Sequence, residues 1–194
     1  MHISQGQQRA AGAIVDLVAS RIGSERAVHP ETAVACAARL AGSLLLRSFG
    51  LKLDDFAPGS VLLSNEANER GPQLIGILGG VLQSLGVALD KTKLGGENSM
   101  RGQTPRFTLV ESLDLLQDDA VRLAKECGLG LEEGAQAAAL ATAFIVRECA
   151  KDIGGEVGFN AAVYGFIEGC KTVPPSLRPA AASPKNKRPW YKSW

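Results

Sequence analysis

The chain has 194 residues, of which 45% are hydrophobic and 5% aromatic, enough apolar material for one core and an appendage. Abundant alanine and few aromatic residues favour close-packed helices over an aromatic-rich β-sandwich. The formal charge of +1 conceals a split, because residues 171–194 hold six Lys or Arg and no acidic residue, which leaves 15 basic and 20 acidic residues in 1–170. The resulting −5 would repel a polyanion and argues against nucleic acid as the main partner.

The cysteines and the start of the chain indicate a reducing compartment. No Cys-x-x-Cys pair occurs, and the only imidazoles are those of His2 and His29. We therefore predict buried thiols, with no metal and no cofactor. The first residues lack the apolar run of a signal peptide, so a cytoplasmic protein is expected. The four single cysteines are Cys36, Cys127, Cys149 and Cys170.

Helical periodicity predicts an all-α protein, a single compact bundle of about six or seven helices in residues 1–170. An extended, Pro-rich basic tail follows in residues 171–194. A capping box at Thr108 and Glu111 opens the fifth helix, and Gly128 closes it. The other predicted helices span residues 4–22, 30–49, 60–69, 72–89, 131–151 and 156–171.

The second helix is predicted to lie at the centre of the core. Its only charged residues after Thr32 are Arg39 and Arg47, which with Thr32 and Ser43 form one narrow stripe. Every other face is apolar or small, so this helix should be the most buried one.

Residues 71–89 carry no charge and contain Gly76-x-x-x-Gly80, a pattern found where membrane helices pack. A transmembrane span is the alternative here. Pro72, further glycines and the lack of an aromatic belt argue against it. We predict no membrane span and a buried helix, in which Gly76 and Gly80 let another backbone approach closely.

The acidic fifth helix offers a metal site as its functional alternative, because Glu111, Asp114 and Asp118 share a face. At about 100° per residue these carboxylates collect with Arg122 on the side opposite the apolar face. We therefore predict a solvated stripe with an ion pair between Asp118 and Arg122. Leu115 lies off the apolar face, which predicts either a solitary surface residue or a dimer interface, and we favour the dimer.

Two polar segments are weak candidates for ligand binding. Asn65 and Glu66 follow the apolar triplet 61–63 after a single serine, so they are candidates to point inward and bind a small molecule. The loop 90–107 combines glycines with Arg101 and Arg106, which is compatible with an anion cradle, but it lacks a phosphate-binding Gly-Lys motif. We favour an exposed loop over this anion cradle.

The tail carries the most informative pattern. Both tryptophans of the chain, Trp190 and Trp194, lie in its last five residues with Tyr191, and Lys187 and Arg188 precede them. Amphipathic rings beside positive charges predict a segment that docks on an acidic, apolar protein surface. A merely solvated tail and a nucleic-acid contact are the alternatives.

No nucleophile motif accompanies either histidine, so an enzyme is the less favoured class. We predict an interaction or scaffold protein that forms a homo-oligomer and docks its tail on a protein. The alternative is a small-molecule binder with a pocket near Asn65 and Glu66.

Overall fold

A computed structural model describes residues 3–23, 29–95 and 105–178. Within these ranges the chain forms seven α-helices and no β-strand, which confirms the predicted all-α class. The helices are α1 (Gln5–Ile22), α2 (Pro30–Arg47), α3 (Asn65–Arg70), α4 (Pro72–Ser84), α5 (Leu109–Glu126), α6 (Leu131–Ile153) and α7 (Gly155–Lys171).

Helix α2 lies at the centre of the bundle, as predicted. It packs mainly against α7 and α6, with α1 and α5 on its remaining sides. Fifteen of its 18 residues are buried, from Thr32 to Leu46, more than in any other described helix. The polar stripe of α2 is buried as well, because Arg39 and Ser43 face other elements of the bundle and not solvent.

Glycine allows α2 and α7 to touch backbone to backbone. A Cβ atom at Gly169 would lie 2.4 Å from the Arg39 carbonyl oxygen, and one at Gly42 would lie 2.5 Å from the Phe166 carbonyl oxygen. Gly165 is similarly crowded by α2. Only a hydrogen in place of Cβ permits this spacing.

In α4, by contrast, the predicted close approach of another backbone at Gly76 and Gly80 is wrong. Both glycines lie on the exposed face of α4, and no atom comes within 4 Å of a Cβ built on either. Helix α4 buries its other side, through Leu74, Leu78 and Leu82. The same spacing of two glycines thus makes a contact in α7 and none in α4.

The helix predicted from residue 60 begins later. Ser64 caps α3 by accepting a hydrogen bond from the Ala67 backbone N–H at 3.1 Å. Residues 60–63 are extended instead, and Val61 forms an isolated antiparallel bridge with Thr172. The apolar triplet before the cap therefore pairs with the chain leaving α7.

Residues beyond the predicted bundle boundary at 170 still pack on the body. Val173 is 1% exposed, and the Pro175 carbonyl oxygen accepts hydrogen bonds from Arg47 and Gln117. The chain thus crosses from the end of α7 to the middle of α5 before the described residues end at Arg178.

No single helix among the described residues is long and apolar enough to span a membrane. Helices α5 and α6 meet the length and composition requirement only as a pair, across a bend of 111°.

Candidate functional site

An apolar groove opens where α7 runs past α3 and the start of α4. Its volume is about 200 Å³, and we call it the α3–α4–α7 groove. Apolar side chains dominate its walls, and the side chains of Asn68 and Lys171 supply its polar edge. Its lining residues are Ala67, Asn68, Gly71, Pro72, Ile75, Phe166, Ile167, Cys170 and Lys171.

Large apolar side chains remain exposed at this groove and at the extended segment beside it. Ile167, which lines the groove, is 47% exposed, and Leu63 and Val61 are 76% and 73% exposed. These two precede α3, and Val61 pairs with the chain that directly follows Lys171. A cluster of exposed large hydrophobic residues marks an interaction surface more often than scattered single residues do.

Within the part of the chain that the structure describes, the extended segment 60–63 pairs along one of its two edges. Its inner edge is used, since Leu62 N–H donates to the Lys171 carbonyl oxygen and Val173 N–H donates to the Ser60 carbonyl oxygen, each at 2.8 Å. The backbone N–H groups of Val61 and Leu63 donate to no residue in the part of the chain that the structure describes. Such an edge can accept an extended peptide by strand addition.

The predicted ligand residues Asn65 and Glu66 lie near the groove but do not line it. Both occupy the first turn of α3, and both are exposed. The groove instead takes Asn68, one turn later. No pattern in residues 65–70 distinguishes these two asparagines, because the choice depends on which side of α3 faces α7.

Of the loop candidates, Arg106 is exposed, and Arg101 lies outside the described residues. The Arg106 backbone N–H donates to Thr32 Oγ1 at 3.0 Å, which ties the loop exit to the start of α2. At the loop entrance, Asn160 Nδ2 donates to the Lys93 carbonyl oxygen at 3.0 Å, and its Oδ1 accepts from the Gly95 N–H at 2.9 Å. These contacts anchor both ends of the loop.

The tail residues Lys187, Arg188, Trp190, Tyr191 and Trp194 also lie outside the described residues. The position from which the tail departs is described. Arg178 Nε donates to Asp118 Oδ2 at 2.7 Å, and Arg178 Nη2 donates to the Asp114 carbonyl oxygen at 2.7 Å. The side chain of Arg178, the last described residue, is thus held on the acidic face of α5.

That face is solvated, and its ion pairs differ from the predicted one. Arg122 binds Asp119 at 2.8 Å and Glu126 at 3.3 Å, while Asp118 binds Arg178. The expected pair of Asp118 and Arg122 is therefore wrong. The predicted capping box is present, and hydrogen bonds from Thr108 hold the pKa of the Glu111 carboxyl below its usual value.

A buried polar cluster between α2, α5 and α7 is the other concentration of functional groups. Arg39, 6% exposed, donates to Glu168 Oε2 at 2.6 Å, to the Phe107 carbonyl oxygen at 2.7 Å and to Ser112 Oγ at 3.2 Å. The Cys36 thiol donates to the same Ser112 oxygen at 3.3 Å. The Arg39 side chain thus joins three elements.

This cluster holds helices together through buried hydrogen bonds and does not activate a nucleophile. Cys36 and Ser112 are both 0% exposed, so no substrate reaches them in this conformation. Burial raises the pKa of the Cys36 thiol, whereas a reactive cysteine needs a lowered one. The nearby Arg39 lowers this pKa by less than burial raises it.

Burial also disfavours the reactive thiolate form of Cys149 and Cys170. Burial raises the pKa of Cys170 to about 12 and that of Cys149 to about 11. Cys170 is 2% exposed at the base of the α3–α4–α7 groove. It contributes apolar surface to the groove.

No three His, Cys, Asp or Glu side chains are grouped for metal binding in residues 3–23, 29–95 and 105–178. No protein-family model matches the chain, and comparison with curated proteins and with solved structures finds no similar protein.

Proposed function

We propose that the chain is a non-enzymatic interaction protein that binds a protein segment in the α3–α4–α7 groove. The observation that carries this proposal is the position of Ile167, a large apolar side chain that is 47% exposed on the wall of an apolar groove. Covering it would remove apolar area from water, at about 25 cal/mol per Å². The free edge at residues 60–63 adds backbone hydrogen bonds for an extended partner.

The size of the groove favours a side chain over a free small molecule. Pockets for drug-sized ligands usually measure about 300–1,000 Å³, and this groove measures about 200 Å³. A cavity of about 150 Å³ is known to accept a benzene ring. One aromatic or large aliphatic side chain of a docked segment therefore suits the groove better than a ligand contacting Asn65 and Glu66.

Self-association is the second function we propose, and the same exposed surface supports it. Val61, Leu63 and Ile167 would bury one another's area across a two-fold axis. Leu115 supports a dimer less than the sequence suggests, because it is half-buried and packs on its own core. Light scattering that finds a monomer at high micromolar concentration would exclude the dimer.

We place this activity in the cytoplasm. The thiols of Cys36, Cys127, Cys149 and Cys170 are all free, which suits a reducing compartment. Fractionation of cells that produce the full chain tests the location.

Site-specific photocrosslinking tests the interaction function. The full chain is made with p-benzoylphenylalanine in place of Ile167, and a matched control carries it in place of Lys125, which is exposed on α5. Irradiation in cells should crosslink position 167 to a defined protein segment that mass spectrometry can map. Position 125 should yield little of that product. Equal yields at both positions, or no peptide product at 167, would refute docking at the groove.

A further inference from the structure

Resting on the proposed function, we infer that the segment occupying the α3–α4–α7 groove is the tail of the same molecule, with the Trp190 ring seated against Ile167 and Ile75. The groove and the tail residues up to Arg178 both lie in the part of the chain that the structure describes. The length of chain between Arg178 and Trp190 is compatible with this position of the ring. The chain is thus an interaction protein whose docking surface is covered by its own residues 179–194 until a stronger partner displaces them.

The departure point of the tail permits this return. Lys171 lines the groove, and Arg178 follows seven residues later, so Arg178 lies at most about 25 Å from the groove wall. Trp190 is twelve residues beyond Arg178, a stretch that spans up to about 40 Å when extended. The tail therefore reaches the groove without moving any helix.

Tethering favours the same molecule over a neighbouring one. Because Arg178 is held on α5 by Asp118, the part of the tail beyond Arg178 begins within reach of the groove. A short tether gives an effective concentration in the millimolar range. A second copy at micromolar concentration competes poorly with it.

The chemistry of the groove suits an indole ring. Its wall is built from Ile75, Phe166 and Ile167, with Asn68 at the rim. An indole buries its apolar body and keeps its N–H for a polar partner at an edge. Both tryptophans of the chain lie in the tail, so no body residue competes in supplying this group.

Charge selects the orientation of the tail. Lys187 and Arg188 immediately precede the Pro189-Trp190 pair, so they reach the rim when the ring occupies the groove. Glu66 and Glu69 lie on α3 next in sequence to the lining residues Ala67 and Asn68; both are exposed, and neither is ion-paired with any described residue. Such exposed pairs contribute little affinity and mainly direct the approach.

Tryptophan fluorescence of the full chain tests this inference, because both tryptophans lie in the tail. The Trp194→Phe variant leaves Trp190 as the sole tryptophan, and excitation at the red edge of the indole absorption band avoids Tyr164 and Tyr191. We expect its emission to be blue-shifted from that of the urea-unfolded protein, and its quenching by acrylamide to be severalfold weaker. Ile167→Asp, at a half-exposed position, should abolish both effects. Gln8→Asp, on the exposed face of α1, is the matched control and should change neither.

Each remaining outcome decides the assignment. Asn68→Arg fills the groove from an exposed position, so it should also release Trp190 without unfolding the bundle, which circular dichroism verifies. Emission equal to that of the unfolded chain overturns the inference, as does protection of Trp190 that survives both groove variants. Protection that grows over about a hundredfold rise in protein concentration also overturns it, since a second copy is then the source.

The two proposals fail separately. A solvent-exposed Trp190, combined with crosslinking from position 167 to a segment of another protein, leaves the groove as a docking site and removes the tail as its occupant. A solvent-exposed Trp190 without any peptide crosslink removes both.

Discussion

A single methyl group at Gly169 tests the contact on which the bundle is centred. In Gly169→Ala the new Cβ would lie 2.4 Å from the Arg39 carbonyl oxygen and 2.9 Å from the Ser43 backbone nitrogen. Both are main-chain atoms of α2, so neither can rotate away as a side chain would. Helices α2 and α7 must separate to admit the methyl group.

The magnitude follows from two opposed effects. Overpacking a well-packed core costs about 1–3 kcal/mol and sometimes more, and a contact this short with backbone atoms lies at the upper end of that range. The higher helix propensity of alanine offsets about 1 kcal/mol of this loss. We therefore expect Gly169→Ala to lower the free energy of unfolding by about 2 kcal/mol or more.

Gly76→Ala is the matched control, since Gly76 also lies inside a helix and in the same Gly-x-x-x-Gly spacing. No atom lies within 4 Å of the position that its new methyl group would occupy, so only the helix-propensity gain remains. This variant should be more stable than the parent by about 0.5–1 kcal/mol. Urea unfolding followed by circular dichroism measures both changes. A Gly169→Ala protein as stable as the parent would refute the close approach of α2 and α7.

Three further predictions concern the buried groups. Leu44→Ala or Leu45→Ala should cost about 2–5 kcal/mol in chemical unfolding, and a loss below about 1 kcal/mol at both would move α2 to the periphery. Glu168→Met leaves the Arg39 guanidinium, 7% exposed, without its carboxylate partner and should lower the free energy of unfolding by about 3–5 kcal/mol. Arg39→Met leaves the Glu168 carboxylate unpaired, but this group is 26% exposed, so the loss should be smaller. The reverse order would disprove a structural role for the buried Arg39 cluster. The Cys170 thiol should resist iodoacetamide at pH 8 until urea unfolds the chain. Because folding raises its pKa from 9.0 to about 12, its contribution to stability should be lost as pH rises between those values, and native alkylation at the unfolded rate would contradict this.

Local signals in the sequence located most helix ends, because caps act within a few residues. The Thr108 and Glu111 capping box and the glycine after α2 required no knowledge of the rest of the fold. Gly50 takes a φ of 70°, a conformation that glycine adopts at no steric cost. The stripe through Arg39 and Arg47 likewise identified the central helix.

Long-range packing is where sequence reasoning failed. Gly76-x-x-x-Gly80 and Gly165-x-x-x-Gly169 are equivalent patterns, and only the arrangement of the helices decides which pair touches a neighbour. Asp118 has Arg122 at favourable spacing on its own helix, yet its partner is Arg178, sixty residues away.

The groove was equally hidden, since its walls come from two distant stretches of the chain. Ala67 to Ile75 form one wall, and Phe166 to Lys171 form the other. In the sequence, Ile167 is one more apolar residue of the last helix. What distinguishes it is that α3 and α4 leave room beside it.

The pairing of α2 with α7 also sets the order in which the chain can fold. Arg39 and Glu168 are separated by 129 residues, and the glycine contact beside them spans a similar distance. During synthesis α2 therefore emerges early with its most apolar side unprotected and stays so until α7 follows. Contacts of such long range slow folding, and exposed apolar surface in the meantime promotes aggregation. A stalled nascent chain whose α7 is still inside the ribosomal tunnel should depend on chaperones, whereas one carrying a C-terminal linker long enough to bring residues 155–178 out of the tunnel should not.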